Sequence, residues 1–329
     1  MSGSRAIRIV AIFGPTAVGK SRVAVEVARA IAGEVVAADS MQIYRGLPIL
    51  TDQPGEELMT AVFHHLVGVV PLSAEYSAAR YAREAEGIVR EVAGRRRLPL
   101  LAGGTGLYMR GLLGGLSFAP RAGSEARARW EGFLAERGAD AAFRELKRLD
   151  PGAAAVTGRG NPRRLVRALE AAQARAESPE LAANGTSSPA PVERGRLWSA
   201  ESPYRVLSFG LEMPRAALYA RIDQRVDEMM AAGAVDEVRE ALRGRVSRTA
   251  AQAIGFQDIR DYIEGAQTFE QAAAAMKQKS RRYAKRQLTW MRKMPDVVRI
   301  DVAGRTPEQA ARQIIDCVRQ AGFFPYGSS

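Results

Sequence analysis

Three short stretches carry residue types that could do chemistry together. Gly14-Pro-Thr-Ala-Val-Gly19-Lys20-Ser21 fits G-x-x-x-x-G-K-[ST], a loop whose backbone amides form a concave anion cradle. Lys20 adds a point charge there, and the Ser21 hydroxyl can ligate Mg²⁺. The motif announces bound phosphate without saying which phosphate. Asp39 opens Asp39-Ser40-Met41-Gln42 directly after an apolar run, where a carboxylate can serve as a general base. The same position suits an aspartate that caps a turn, and the residues support both roles. Thr105, in Gly103-Gly104-Thr105-Gly106, is likewise either a turn hydroxyl or a donor to substrate.

These stretches need elements to hold them. Ile7–Phe13 is an apolar, β-branched run that predicts a buried parallel strand feeding the glycine loop. Helical spacing follows over Lys20–Ala32, then a second strand over Glu34–Ala38 that delivers Asp39. Phe63–Val70 reads as a further strand, a helix follows from about Ser77 to Ala93, and Leu98–Ala102 runs as a strand into Gly103. Strand alternating with helix implies an α/β fold, a P-loop NTPase-like parallel sheet flanked by helices, with sites at the carboxyl ends of its strands. An NTPase commonly ends an apolar strand in a metal-binding Asp. Leu98–Ala102 ends in Gly-Gly-Thr-Gly instead, which argues against ATP as the bound phosphate.

The character changes near Gly123. Ser124 to about Ala176 is rich in Ala, Arg and Glu with helical periodicity, and Glu177–Pro203 holds four prolines, several serines and Asn-Gly. The expected arrangement is a core of residues 1–122 plus 204–329, with 123–203 as an inserted helical subdomain ending in a flexible linker over about 177–203. Tyr204–Leu211 resumes the strand pattern, and Pro214 suits the first turn of a helix reaching about Ala232. A basic helix over about Phe269–Lys293, a strand at Val297–Val302 and a helix at Pro307–Gln320 complete the chain.

Composition narrows the class. The 329 residues are 47% hydrophobic and 26% charged, enough for a packed core. One cysteine, Cys317, excludes a disulfide framework and a Cys-rich zinc site. The longest uncharged stretch, Leu58 to Ala74, contains Pro71 and His64-His65 and makes a poor membrane span. The first residues show no signal-peptide pattern, so a cytoplasmic enzyme without membrane contact is expected. The histidine pair is assigned to packing, since the chain has only 2 His. A net charge of +12 favours polyanionic partners. Only six of the 48 basic residues are lysines, so the charge by itself fits an ordinary basic enzyme as well.

The motifs occur in an ordered series: GPTAVGKS, DSMQIYRGL, His64-His65-Leu66, GGTGLY, NPRRLVRALE, LYARIDQRVDEMMAAG, AIGFQD and YAKRQLTWMRK. In this series the chain resembles the tRNA dimethylallyltransferases over all but the 177–203 segment. The resemblance implies transfer of a dimethylallyl group from its diphosphate to N6 of adenosine 37, beside the anticodon of a tRNA. It implies that Gly14, Thr16, Ala17, Val18, Gly19, Lys20 and Ser21 hold the diphosphate, with Mg²⁺ neutralising the leaving group. Asp39 then matches the base, Thr105 the residue bonded to the bridging oxygen, and Arg221 the phosphate clamp, with Arg225 one helical turn on. Ser40, Met41 and Gln42 line the expected path of the flipped base. Arg127, Arg163, Arg164 and Leu165 in the insertion, and Lys279, Arg282, Lys285 and Arg286 on the basic helix, become expected contacts to the anticodon stem-loop. Tyr283 and Trp290 interleave with that helix's charges, as nucleic-acid surfaces often show, although a solvated helix with two core aromatics has the same pattern.

Two departures stand out. Thr51-Asp52-Gln53-Pro54 replaces the family's Thr-Ala-Lys-Pro, and AIGFQD carries Gln257 and Asp258 where the family reads IGYKE. Both leave the chemical centre intact and alter local tRNA contacts. Transfer onto free adenosine nucleotides would use the same centre but needs neither insertion nor basic helix. A small-molecule kinase would need the missing strand-end acid. Without a heptad or an evident association surface, a monomer is expected.

Overall fold

The computed structural model of the chain describes residues 6–114, 124–177, 202–294 and 296–323. The chain divides into two compact units, Met1–Gly115 with Ala200–Ser329, and Leu116–Ser199. The expected boundary at 122/123 and nearly all of the expected linker lie outside the described residues.

The first unit is an all-parallel sheet of β1 (Ile7–Phe13), β2 (Gly33–Ala38), β3 (His64–His65), β4 (Leu98–Gly103), β5 (Tyr204–Glu212) and β6 (Val297–Asp301). The strands lie in the order β3-β2-β4-β1-β5-β6. Its helices in the same unit are α1 (Lys20–Ala30), α2 (Glu56–Ala61), α3 (Ala78–Gly94) and α4 (Gly106–Leu113) before the second unit. The second unit holds α5 (Ser124–Leu149), α6 (Pro151–Thr157) and α7 (Pro162–Glu177). The first unit resumes with α8 (Arg215–Ala231), α9 (Ala234–Ala241), α10 (Phe256–Ile263), α11 (Phe269–Met291) and α12 (Pro307–Gln320).

Strands covered on both faces should be apolar throughout, and every residue of β2 is buried, as are the last five of β1. Helices α1, α8 and α12 bury one stripe each against β1, β4 and β5 through Val23, Val27, Leu218, Ile222, Ala311 and Ile314. The strand register brings the site together: Phe13 pairs with Gly103 and Gly210, and Ala38 pairs with Gly103. The loops after β1, β2 and β4 therefore emerge side by side at one sheet edge.

The expected strand over Phe63–Val70 is the main correction. Only His64–His65 pair with β2, because Leu66 (φ 63°) and Gly68 (φ 61°) turn the chain out of extended conformation. Val69 and Val70 bond to Ile43 instead, and Tyr44 bridges Val70. Pro214 stands just before the first helical residue rather than in the first turn, with φ −51° and ψ 137°. Helix α1 stops at Ala30, short of Ala32, whose φ is 49°.

The second unit has its own core of Trp130, Ala142, Leu146, Leu165, Val166 and Leu169. Asp150 caps α6 through Ala153 N at 2.7 Å, and Asn161 accepts from Arg164 N at 3.2 Å in front of Pro162. Helix α5 is interrupted at Gly138, which takes φ 77°.

Candidate active site

Gly19 ends the loop after β1 with φ 95°, which a residue bearing a Cβ adopts poorly. Gly14 is tightly enclosed: an added Cβ would stand 3.0 Å from the Leu211 carbonyl and 3.0 Å from Val18. Val18 itself is 2% exposed and joins the core, with its amide near the Pro15 carbonyl at 3.4 Å. The Thr16 amide donates 2.8 Å to Gln287 Oε1. Gly14 and Val18 thus shape the loop from within, and the Thr16 amide is spoken for by a side chain. Thr16, Ala17, Gly19, Lys20 and Ser21 line a polar cavity of about 540 Å³ over the loop.

Lys20 reaches back so that its Nζ donates 2.8 Å to the Pro15 carbonyl. Loss of hydration lowers its pKa to about 8; the negative charges of Asp39 and Asp52 oppose that fall and Arg225 adds to it. Arg221 and Arg225 also line the cavity. The Arg221 guanidinium lies 3.8 Å from where a Cβ on Gly19 would stand. Helix α8 alternates charge in two-residue steps, so its arginines and aspartates take different faces. Asp223 pairs with Arg281 at 2.8 Å and Asp227 with Lys277 at 2.7 Å, both on α11.

Asp39 caps its turn and also reaches the cavity wall. Its Oδ1 accepts from the amides of Met41 at 2.9 Å and Gln42 at 3.4 Å, a turn cap. Those bonds fall on one oxygen, and the residue lines the cavity alongside Lys20. Thr105 Oγ1 accepts from Ser40 N at 3.1 Å and lies 3.5 Å from the Tyr283 hydroxyl. The ends of β2 and β4 are therefore stitched together beside the phosphate loop.

Gln287, on α11, is the residue that sequence reasoning missed. Only 2% exposed, it accepts from Thr16 N and donates 3.0 Å to the Gly104 carbonyl, joining the two loops. Close packing around this loop explains its glycines. A Cβ on Gly104 would stand 1.9 Å from Gln287 Nε2, one on Gly106 2.6 Å from the Trp290 ring, and one on Gly103 2.2 Å from the Ala38 carbonyl. Tyr283 thus reaches the Thr105 hydroxyl and the Trp290 ring lies over Gly106, while both side chains stay partly exposed. The only advance signal was the unbroken YAKRQLTWMRK run.

The 51–54 departure is knitted to the Asp39–Gln42 turn. Gln42 Nε2 donates to Asp52 O at 2.6 Å, and Gln53 Nε2 donates to Gln42 O at 2.9 Å and Tyr44 O at 2.7 Å. Arg225 Nη1 meets Asp52 Oδ2 at 2.7 Å. Ser40 and Met41 are partly buried in the same turn.

On α11, Arg282, Lys285 and Arg286 are exposed. Lys279 instead meets both oxygens of the buried Asp258, at 2.7 and 2.9 Å, so its charge is largely matched within the chain. Lys279, Arg282 and Arg286 flank a second hollow of about 330 Å³ with Ala251–Gly255. In the second unit Arg163 and Arg164 are exposed and Arg127 pairs with Glu131 at 2.9 Å. Leu165 is 0% exposed in that unit's core, which corrects its expected side-chain contact with nucleic acid. His65 bonds Glu34 at 2.7 Å and His64 bonds the Val62 carbonyl at 2.7 Å, so both pin the sheet edge. Among the described residues no helix is long and apolar enough to cross a membrane.

The chain is similar to known proteins over most of its length. A family model described as IPP transferase matches residues 42–294, and one described as isopentenyl transferase matches residues 7–62. The tRNA dimethylallyltransferase of Oceanobacillus iheyensis is 37% identical over 88% of this chain and 89% of its own. That of Geobacter sulfurreducens is 40% identical over 88% and 90%. The crystal structure of the tRNA isopentenylpyrophosphate transferase from Bacillus halodurans superposes with a TM-score of 0.68 at 36% identity, over 95% of this chain and 96% of that one. A eukaryotic dimethylallyltransferase caught acting on tRNA shares the fold, with a TM-score of 0.78 at 23% identity over 98% of this chain and 81% of that one.

Proposed function

The chain belongs to the IPP transferase family and is an enzyme that transfers a dimethylallyl group to tRNA; we propose that its donor is dimethylallyl diphosphate and its acceptor is N6 of adenosine 37, beside the anticodon. One observation carries this reading. Asp39 lines the same cavity as Lys20 and Arg221, and Thr105 stands beside it through the Ser40 amide.

In this reading Lys20, Arg221 and the amides of Ala17 and Gly19 bind the diphosphate, and Arg225 adds charge from the next turn of α8. Ser21 lines the cavity together with Lys20, and in a loop of this pattern its hydroxyl would hold Mg²⁺. The ion would supply charge neutralisation of the leaving diphosphate. The exocyclic amine attacks the allylic carbon as the carbon–oxygen bond to the diphosphate breaks. Asp39, with Oδ1 fixed by two amides, accepts the amine proton on its other oxygen. Thr105 donates to the bridging oxygen as negative charge collects there.

The adenine must leave the anticodon stack to reach the cavity, past the Ser40–Gln42 turn. Arg282, Lys285 and Arg286 on α11, and Arg127, Arg163 and Arg164 in the second unit, supply phosphate contacts. We take the enzyme to be cytoplasmic and monomeric, in keeping with a tRNA substrate and with the missing heptad pattern.

A transfer assay with radiolabelled dimethylallyl diphosphate, Mg²⁺ and either unmodified tRNA or AMP tests this. Label at the adenosine beside the anticodon is the expected result. Label in AMP alone would overturn the acceptor, and no label from folded protein would reopen the kinase alternative.

A further inference from the structure

The placement of Asp52 is built rather than incidental. Its backbone is in the left-handed region at φ 54°, which aspartate tolerates better than most residues. Gln42 holds its carbonyl at 2.6 Å, and both oxygens of Glu237 take the amides of the preceding Ile49 and Leu50 at 2.8 and 2.7 Å. The loop is anchored from two sides, and the carboxylate of Asp52 is delivered to the cavity wall.

That carboxylate meets Arg225, which also lines the cavity, at 2.7 Å. The pair is asymmetric: the Asp52 side chain is 53% exposed and that of Arg225 only 20%. Arg225 Nε is enclosed and has no hydrogen-bond partner among the described residues. A guanidinium with an unmatched, enclosed N–H gains by turning onto a phosphate group, whose oxygens offer more lone pairs than one carboxylate oxygen. The negative charge of Asp52 also acts on Lys20, which lines the same cavity.

We propose that Asp52 competes with the diphosphate group for Arg225, and so sets how tightly the cavity holds diphosphate and how fast the product leaves. The inference rests on the diphosphate assignment of this cavity. Asp52 is on this account a tuning residue acting through Arg225, with no part in the bond-making step.

The test is calorimetric titration of the full chain with inorganic diphosphate and Mg²⁺, on wild type, Asp52→Asn, Arg225→Gln and the double variant. Asp52→Asn should bind diphosphate about twofold to fivefold more tightly, the range open to an ion pair of this exposure. Stopped-flow displacement should show slower release. Arg225→Gln should bind more weakly, and in its background the effect of Asp52→Asn should shrink, the sign of a coupled pair. Unchanged or weaker binding by Asp52→Asn would overturn the proposal and make Asp52 a scaffold that orients Arg225 for the ligand. If that variant loses thermal stability, Asp52→Ser carries the same comparison. A wild-type chain that fails to bind diphosphate at all strikes the cavity assignment itself, a result distinct from an unaltered Asp52→Asn.

Discussion

Gln287 accepts the Thr16 amide at 2.8 Å and, with its other end, donates to the Gly104 carbonyl at 3.0 Å. One buried carboxamide thereby sets the distance between the phosphate loop and the loop that carries Thr105. It lies 271 residues beyond Thr16 in sequence. The active centre is consequently a long-range construction, and its tolerances are those of packed side chains rather than of a flexible loop.

This makes the glycines after β4 sensitive. Gly104→Ala drives a methyl group to within 1.9 Å of Gln287 Nε2 and should cost about 1–3 kcal/mol, the usual range for overpacking. Differential scanning calorimetry checks it. The combination with Gln287→Ala, which clears the space, should be less destabilising than the sum of the two single changes.

Asp39→Asn preserves an oxygen for the Met41 and Gln42 amides while removing the proton acceptor. Turnover should fall by about a hundredfold to ten-thousandfold, the span typical of general bases. tRNA affinity by filter binding should stay within twofold of wild type, about 0.4 kcal/mol. Near-normal turnover would leave Asp39 as a turn cap alone.

Lys20 titrates near 8 because burial disfavours its charged form. A bound anion restores the proton, so diphosphate binding above that pH takes up a proton. Affinity should fall as pH rises above about 8, by at most about tenfold per pH unit. It should level off below that value, where the ammonium is already charged. Titrations in buffers of different ionisation heat read the proton count, and Lys20→Met should reduce the slope to the part that belongs to diphosphate itself.

Charge on α11 divides into two classes. Lys277 and Arg281 are matched by Asp227 and Asp223, whereas Arg282, Lys285 and Arg286 are exposed. Replacing the exposed three by Ala should flatten the salt dependence of tRNA binding by roughly two logarithmic units per decade of salt. Replacing Lys277 and Arg281 should barely move it. Equal effects of the two variants would mean that net charge, and not placement, governs binding.

Much of this was readable in advance, for identifiable reasons. The loop at 14–21 and the apolar runs of β1, β2 and β4 are local patterns, so both the cradle and the sheet that presents it follow from neighbouring residues. Asp39 could be placed at a strand end but not assigned one role, since capping and base chemistry want the same residue type. Gln287 was invisible because its partners are distant in sequence. The short β3 was over-read because Leu66, a residue that ordinarily favours strand or helix, takes φ 63° there. The interleaving of Tyr283 and Trp290 with charge fits a nucleic-acid surface and a packed helix alike, and the Trp290 ring over Gly106 shows a contact that no sequence pattern gives.

Helix α8 sends Arg221 and Arg225 to the cavity and Asp223 and Asp227 to α11. Each residue of an α-helix advances the azimuth by about 100°, so the helix tolerates no change in length ahead of Arg221. One residue inserted between Pro214 and Arg221 would turn the arginines away from the cavity and expose carboxylates toward it, trading attraction for repulsion without altering composition. Homologous chains that vary in length must therefore accommodate their insertions elsewhere, and a designer seeking a permissive site for a tag or linker should leave this helix untouched.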